Sequence, residues 1–250
     1  MTYKKSIVLY NIVAILLVIF SVLALIIFLT NLYPFLQIDA VMKTSMGQAL
    51  CVDTLLILLF GLQHSLMARS SFKLWMKRYI PAEAERSTYI MMSALCLVFL
   101  MVCWHPIPIL LWSFDSIFVQ SMMYALFAVG CLLCAWAVWA IDLFELIGTR
   151  QTGVLSQRND ELKQGWLHQR IRHPIYSGLL LIFWSTAHMS IGHLVFAGLM
   201  SVYIRIGIYF EEKDLVDKFG DAYIRYQEQV PMLIPRFYSF LFWLLCVEGH

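Results

Sequence analysis

Apolar positions run almost unbroken over residues 7–29, 47–67, 87–104, 117–141 and 175–204, and polar clusters separate them. No Asp, Glu, Lys or Arg lies between Ser6 and Ile38, between Ser87 and Phe114, or between Ser116 and Ile141. Each of these runs exceeds the roughly 20 residues that carry a helix across a bilayer core. The first four apolar stretches are read as spanning helices. The fifth is about 30 residues, too long for one span and too short for two, each of which needs about 20. Ile191-Gly192-His193 offers a turn in its middle, so the expectation is a hairpin of two short helices, the second extended past Arg205 to about 210. Between the second and third helices, Phe72, Trp75, Met76 and Tyr79 recur at helical spacing opposite basic residues, as in a helix lying flat on a membrane.

The fold class that follows is all-α, a polytopic membrane helix bundle of four spans plus a short helical hairpin, with a cytoplasmic C-terminal segment. Its simplest organisation is one domain over 1–250. The core is 47–235, residues 1–46 add an N-terminal helix, and 236–250 hold an interfacial segment too short to span. The first apolar run is too long for a signal peptide and lacks a small-x-small cleavage site.

Composition agrees: 61% of residues are hydrophobic and 14% charged, against nearly a quarter charged in soluble domains. The net charge of +2 says little; its placement says more. Lys4 and Lys5, then Arg69, Lys73, Lys77, Arg78 and Arg86, then Arg150, Arg158, Lys163, Arg170 and Arg172, then Lys213, Lys218, Arg225 and Arg236 all fall on one side, and the opposite loops hold only Lys43. By the positive-inside rule both termini are expected in the cytoplasm. The expected surroundings are the lipid bilayer, in a bacterial inner membrane, with no nucleic-acid partner. Six cysteines sit almost wholly in apolar segments, where thiols pack as small hydrophobes, and no recognisable metal-ligand spacing appears. P-loop, GxGxxG and Gly-x-Ser-x-Gly signatures are absent.

Several polar residues are costly where they stand. Arg205 lies in an apolar helix and shares a face with Tyr209 and Glu212 at i, i+4, i+7. It reads either as a functional cation oriented by Glu212 or as an arginine snorkelling to the interface. His64, near the end of the second helix, is poised for base chemistry or is a satisfied bundle histidine. Asp53 lies on about the same face but roughly 16 Å away at 1.5 Å per residue, so the two cannot pair directly. Arg86 at the start of the third helix is a candidate anion contact. His173-Pro174 marks a helix start, and His173 and Tyr176 bracket its free N–H groups.

Arg172-His-Pro-Ile-Tyr-Ser-Gly178, followed by Glu211-Glu-Lys-Asp-Leu215, Phe219-Gly-Asp-Ala-Tyr223 and Val230-Pro-Met-Leu-Ile-Pro235, resembles the isoprenylcysteine carboxyl methyltransferase and phospholipid methyltransferase superfamily. Phe60 to Arg69, Glu85 to Tyr89 and Phe144 to Gln151 are similar to its methanethiol S-methyltransferase branch, close to NnrU-like membrane proteins. Leu167-His168 departs from the tyrosine many relatives carry there. The resemblance implies S-adenosyl-L-methionine as methyl donor and a small thiol substrate, methanethiol or hydrogen sulfide. The alternatives are a lipid or isoprenylated acceptor, or a non-catalytic NnrU-like protein. It further implies that Arg172, His173, Pro174, Tyr176, Gly178, Glu211, Tyr223 and Gln151 border the cofactor, with His64, Arg86, Arg205 and Glu212 left for catalysis.

Overall fold

The structure is a computed structural model that describes residues 2–140 and 167–235. Gln151, the Phe144 to Gln151 motif and the segment 236–250 lie outside the described residues. Helix α1 covers Thr2–Thr30. Helix α2 covers Met46–Ala68 and opens on a reciprocal capping box between Ser45 and Gln48. The short α3 is Ser70–Met76, and a 3-10 turn, Ala82–Ala84, leads into α4, Glu85–Val102. Strand β1 is Leu110–Ser113, and α5 is Ile117–Ala140. Then come α6, Pro174–Trp184, strand β2, His188–Ser190, α7, Ile191–Phe219, and α8, Asp221–Gln229.

Five of these helices (α1, α2, α4 with its 3-10 turn, α5 and α7) are long and apolar enough to cross a membrane. The polytopic helix bundle expected from the apolar runs is therefore present, with two differences. The second arm of the hairpin is 29 residues, not a short helix. Its polar half, from Glu211 onward, continues the same helix until Gly220, whose φ of 54° ends it in a conformation glycine adopts without strain. The first arm, α6, has 11 residues and covers about 16 Å at 1.5 Å per residue, half a bilayer core.

The turn also falls earlier than expected, at 185–190. Gly192 is not its pivot but a close-approach residue. Its N–H donates to the Ile107 carbonyl at 3.0 Å, and a Cβ there would meet the Ile107 nitrogen at 3.1 Å. The turn contributes β2, which pairs antiparallel with β1 in a two-stranded sheet that an all-α expectation omits. Ser190 then caps α7 by accepting from the His193 N–H at 2.9 Å, and its hydroxyl donates to Asp39.

The shared core lies where α1, α6 and α7 meet the segment after α4. Phe28 packs edge-on against Trp104 and Phe196, and Phe183 against Phe196, with centroids 5.4–5.9 Å apart. Helices α5 and α6 approach most closely at Gly130 and Gly178: a Cβ on Gly178 would meet the Gly130 carbonyl at 2.7 Å and Cys134 Sγ at 2.6 Å. Small residues at a helix crossing permit this approach, the usual solution where lipid offers no hydrophobic drive to association. Exposed Trp75 and Tyr79 flank buried Met76 at α3, as an interfacial helix requires.

The chain alternates direction, so the start of α1, the end of α2, α3, the starts of α4 and α6, the end of α7, and α8 gather at one end of the bundle. Contacts tie that end together: Tyr10 to Thr88 at 2.8 Å, Lys77 to Glu85 at 3.0 Å, and Arg69 to Asp214 at 4.0 Å.

Candidate active site

Two polar clusters occupy this end. The first joins the start of α6 to the end of α7. Pro174 sits in the first turn of α6, where the missing N–H costs nothing, and His173 precedes it. The backbone N–H groups of Arg172 and His173 donate to the carbonyls of Pro231 at 2.9 Å and Met232 at 3.1 Å. Ser177 Oγ reaches the Leu233 carbonyl at 2.7 Å. The Val-Pro-x-x-Ile-Pro segment is thereby laid along the N-terminus of α6.

Arg172 is the clasp. Its Nε donates to Glu212 Oε1 at 2.7 Å, and Nη1 to the carbonyls of Gln227 at 2.9 Å and Val230 at 2.6 Å. Glu212 also contacts His173 Nε2 at 3.0 Å and accepts from Gln227 Nε2 at 3.0 Å. The planar guanidinium fork suits this multiple recognition. Tyr226 donates to the His168 carbonyl at 2.5 Å and, with buried Tyr223 and Val230, forms a small core under α8. Burial pushes the Tyr226 phenol up to about 12 and raises that of Tyr223, so both remain neutral donors. Burial, with His173 acting in the same direction, holds the His168 imidazole below its usual range.

Glu211 is placed differently. Its carboxylate accepts from the Tyr176 phenol at 3.1 Å and lies 3.9 Å from His173 Nδ1, yet its side chain stays 47% exposed. It is the acceptor of this cluster with capacity left for a ligand.

The second cluster lies between α2, α4 and α7. Phe60 and His64 share a face of α2 at i, i+4, and the two rings stack with centroids 5.6 Å apart. Tyr89 and Ser93 share a face of α4 at the same spacing. The Tyr89 hydroxyl is 2.8 Å from His64 Nε2, and Ser93 Oγ is 3.1 Å from Nδ1. Tyr203 of α7 bonds Ser65 at 3.1 Å and presents its ring to Gly61, where a Cβ would stand 3.0 Å from Tyr203 Cδ2. The clusters share α7: Tyr203 of the second lies about 12 Å before Glu211 of the first along the helix at 1.5 Å per residue, and Arg86 lies one turn before Tyr89 on α4.

Arg172, His173, Tyr176, Glu211 and Glu212 thus come together, with Tyr223 buried beneath α8. His64 lies in the second cluster, with Tyr89 and Ser93. Gly178 faces α5 rather than the cluster. Arg205 is exposed on α7, and the expected pairing with Glu212 is replaced by Arg172, which reaches that carboxylate from across the bundle. The i, i+7 spacing relates Arg205 and Glu212 along one helix, but the fold brings Arg172 to that carboxylate from another element. Sequence reasoning gave no role to Tyr89, Ser93, Ser65, Tyr203 or Gln227. The signal for the first two was their i, i+4 spacing beginning one turn after Arg86.

The chain is 41% identical over 212 residues to the methanethiol S-methyltransferase of Crocosphaera subtropica, covering 83% of both chains. It is 45% identical over 192 residues to that of Pseudomonas sp. strain GM41(2012), covering 75% of this chain and 74% of the other. A more distant likeness, 29% over 200 residues, is to the Nurim homolog of Drosophila melanogaster, covering 74% and 77%. No protein-family model matches the chain, and no solved structure does. With identity of this level spread over four-fifths of both chains, the protein belongs to the methanethiol S-methyltransferase family.

Proposed function

We propose that this protein methylates a small thiol, converting methanethiol to dimethyl sulfide with S-adenosyl-L-methionine as donor, from the cytoplasmic end of a bundle in a bacterial inner membrane. Both described ends of the chain then face the cytoplasm, as the clustering of basic residues favours. Hydrogen sulfide is a second acceptor of the same class. The observation that carries the reading is the 3.1 Å bond from Tyr176 to the half-exposed Glu211, held beside the Arg172–Glu212 clasp.

The donor is the second substrate, and when bound it supplies a sulfonium-activated methyl group. The residues fit such a nucleoside: Glu211 has a carboxylate oxygen to offer a ribose diol or an ammonium group, and Tyr176 beside it offers an aromatic face to a purine. Arg172 has its Nε and Nη1 engaged within the chain, so its part is to hold α8 and the Pro231 to Leu233 segment in place. What remains for the protein is to align donor and acceptor, exclude water and accept the thiol's proton. An alkyl thiol is mostly protonated at neutral pH, and His64 supplies the base. An apolar thiol partitions into the bilayer, which favours an acceptor chamber among α2, α4 and α7.

The test is the purified protein in lipid vesicles, given methanethiol and S-adenosyl-L-methionine, with headspace detection of dimethyl sulfide and calorimetry of donor binding. Product and a binding isotherm are expected. Absence of both overturns the reading; product from a long-chain lipid acceptor alone moves it to the lipid-modifying branch.

A further inference from the structure

Both ring nitrogens of His64 already have hydroxyl neighbours, so a substrate meets the imidazole nitrogens through one of them. One ring face stacks on Phe60 at 5.6 Å, and the Tyr203 ring stands edge-on at 6.4 Å. Both nitrogens have hydroxyl partners, Ser93 on Nδ1 at 3.1 Å and Tyr89 on Nε2 at 2.8 Å. The Tyr89 oxygen is also 3.4 Å from Nδ1, so it sits beside the ring rather than in line with one nitrogen. Catalytic hydrogen bonds are often imperfectly aligned before substrate binds. Tyr89 is itself half-buried, and Tyr203, whose ring stands edge-on to the same His64, lies on α7 about 12 Å before Glu211 at 1.5 Å per residue. The groups thus run from Glu211 and Tyr176, where α7 meets the start of α6, to Tyr89 on α4, with His64 and Ser93 beside it.

We infer that Tyr89, not His64, is the group that meets the acceptor thiol, and that its hydroxyl relays the thiol proton to His64. This rests on the methyl-transfer reading above. In the step, the thiol S–H bond breaks and its proton moves to the Tyr89 oxygen, while the proton that oxygen carried moves to His64 Nε2. The freed sulfur pair attacks the donor's methyl carbon. A new carbon–sulfur bond forms as the methyl–sulfonium bond breaks, and that electron pair stays on the donor sulfur. The products are a neutral sulfide, a neutral donor remnant and one proton held on His64.

Hydroxyl partners suit this task. A neutral imidazole needs one donor and one acceptor partner, whereas the imidazolium needs two acceptors. Tyr89 and Ser93 each serve as either, so each nitrogen of His64 has a suitable partner in both protonation states once the Tyr89 hydroxyl turns into line with Nε2. A carboxylate or amide in either place would favour one state only.

The experiment compares wild type and Tyr89→Phe in lipid vesicles, with methanethiol and with a more acidic fluorinated alkyl thiol, across pH. Loss of a proton-transfer group lowers the rate by about 100-fold or more. Tyr89→Phe is therefore expected to lose that much turnover with methanethiol at neutral pH while keeping its calorimetric affinity for S-adenosyl-L-methionine. The deficit should shrink as pH rises and with the acidic thiol, because both supply thiolate ready-made. An equal loss at every pH and for both thiols, or no loss, overturns the relay. His64→Gln reads the relay from its other end and decides the matter if Tyr89→Phe does not fold: the same pH-dependent deficit supports it, a uniform one sinks it. A wild type without product overturns the functional reading itself, whereas an active wild type with a pH-independent Tyr89→Phe deficit removes only the relay.

Discussion

Arg172 and Glu212 stand 40 residues apart in sequence and 2.7 Å apart in space, and through them the start of α6 holds the end of α7. Both side chains are largely withdrawn from solvent, at 10% and 15% exposure. Removing one partner of such a pair strands the other, at a cost of about 3–5 kcal/mol. Arg172→Ala should lower the melting midpoint in detergent markedly. Glu212→Gln, which keeps an acceptor oxygen, should lower it less. Glu211→Gln is the contrast: its exposed carboxylate bonds only the edge of the cluster, so the midpoint should hold while donor affinity falls. Wild-type melting for Arg172→Ala would show that the clasp is not structural.

Gly178 belongs to the Arg-His-Pro-x-Tyr-x-Gly motif, yet its empty side faces α5. A Cβ would lie 2.6 Å from Cys134 Sγ and 2.7 Å from the Gly130 carbonyl, and backbone cannot yield as a flexible side chain does. Gly178→Ala should therefore separate α5 from α6 and cut the yield of folded protein. Any enzyme that survives should bind S-adenosyl-L-methionine normally. A folded variant with weakened donor binding would instead put this glycine at the cofactor.

Tyr226 gives the C-terminal cluster an alkaline limit. An unfolded tyrosine loses its proton near about 10, and burial moves Tyr226 up to about 12. In that interval the folded state holds a proton that the unfolded state has released, so stability falls as pH rises. The contribution is fully present below the unfolded value and disappears through the folded one, by up to about 1.4 kcal/mol per pH unit for each such group. Tyr223 acts in the same direction. Melting followed from neutral to strongly alkaline pH should decline over this window, more shallowly in Tyr226→Phe. That variant gives up the hydrogen bond to His168, about 1 kcal/mol, at neutral pH instead.

The spans were legible because charge-free runs longer than a bilayer leave few alternatives, and the approach of Tyr176 to Glu211 followed from two motifs bracketing a hairpin. Lengths and partners were harder to read. The polar half of α7 carries no apolar signature, so its continuation to Phe219 was hidden until Gly220 ended it. Gly192 looked like a turn because a glycine's need for space at Ile107 leaves no mark in sequence. Arg205 looked like the partner of Glu212 because helical spacing reports only neighbours on one helix, and Arg172 arrives from another. Tyr89 carries no mark in sequence for the same reason: its partner His64 is 25 residues away on a different helix.

Asp53 tests whether a buried acid in this bundle is there for chemistry. Its side chain is fully buried, and Oδ1 accepts from the His105 N–H at 2.8 Å, just after α4 ends. The second oxygen, Oδ2, has no partner among the described residues, and His105 Nδ1 is 3.9 Å from Oδ1. The contact therefore holds the turn after α4 onto α2, at the end of the bundle remote from Arg172, and an acceptor oxygen is all it requires. Asp53→Asn keeps that oxygen and removes a charge that is expensive to bury, so its melting midpoint should match or exceed wild type. Asp53→Ala abandons the His105 N–H in an apolar setting, which costs about 1–3 kcal/mol, and should melt lower. Dimethyl sulfide formation should stay within about twofold of wild type in Asp53→Asn, since surface-remote neutral substitutions move stability far more than chemistry. A stable Asp53→Asn protein with turnover reduced 100-fold would place this carboxylate in the reaction, and the proton route would then have to run along α2 rather than through Tyr89.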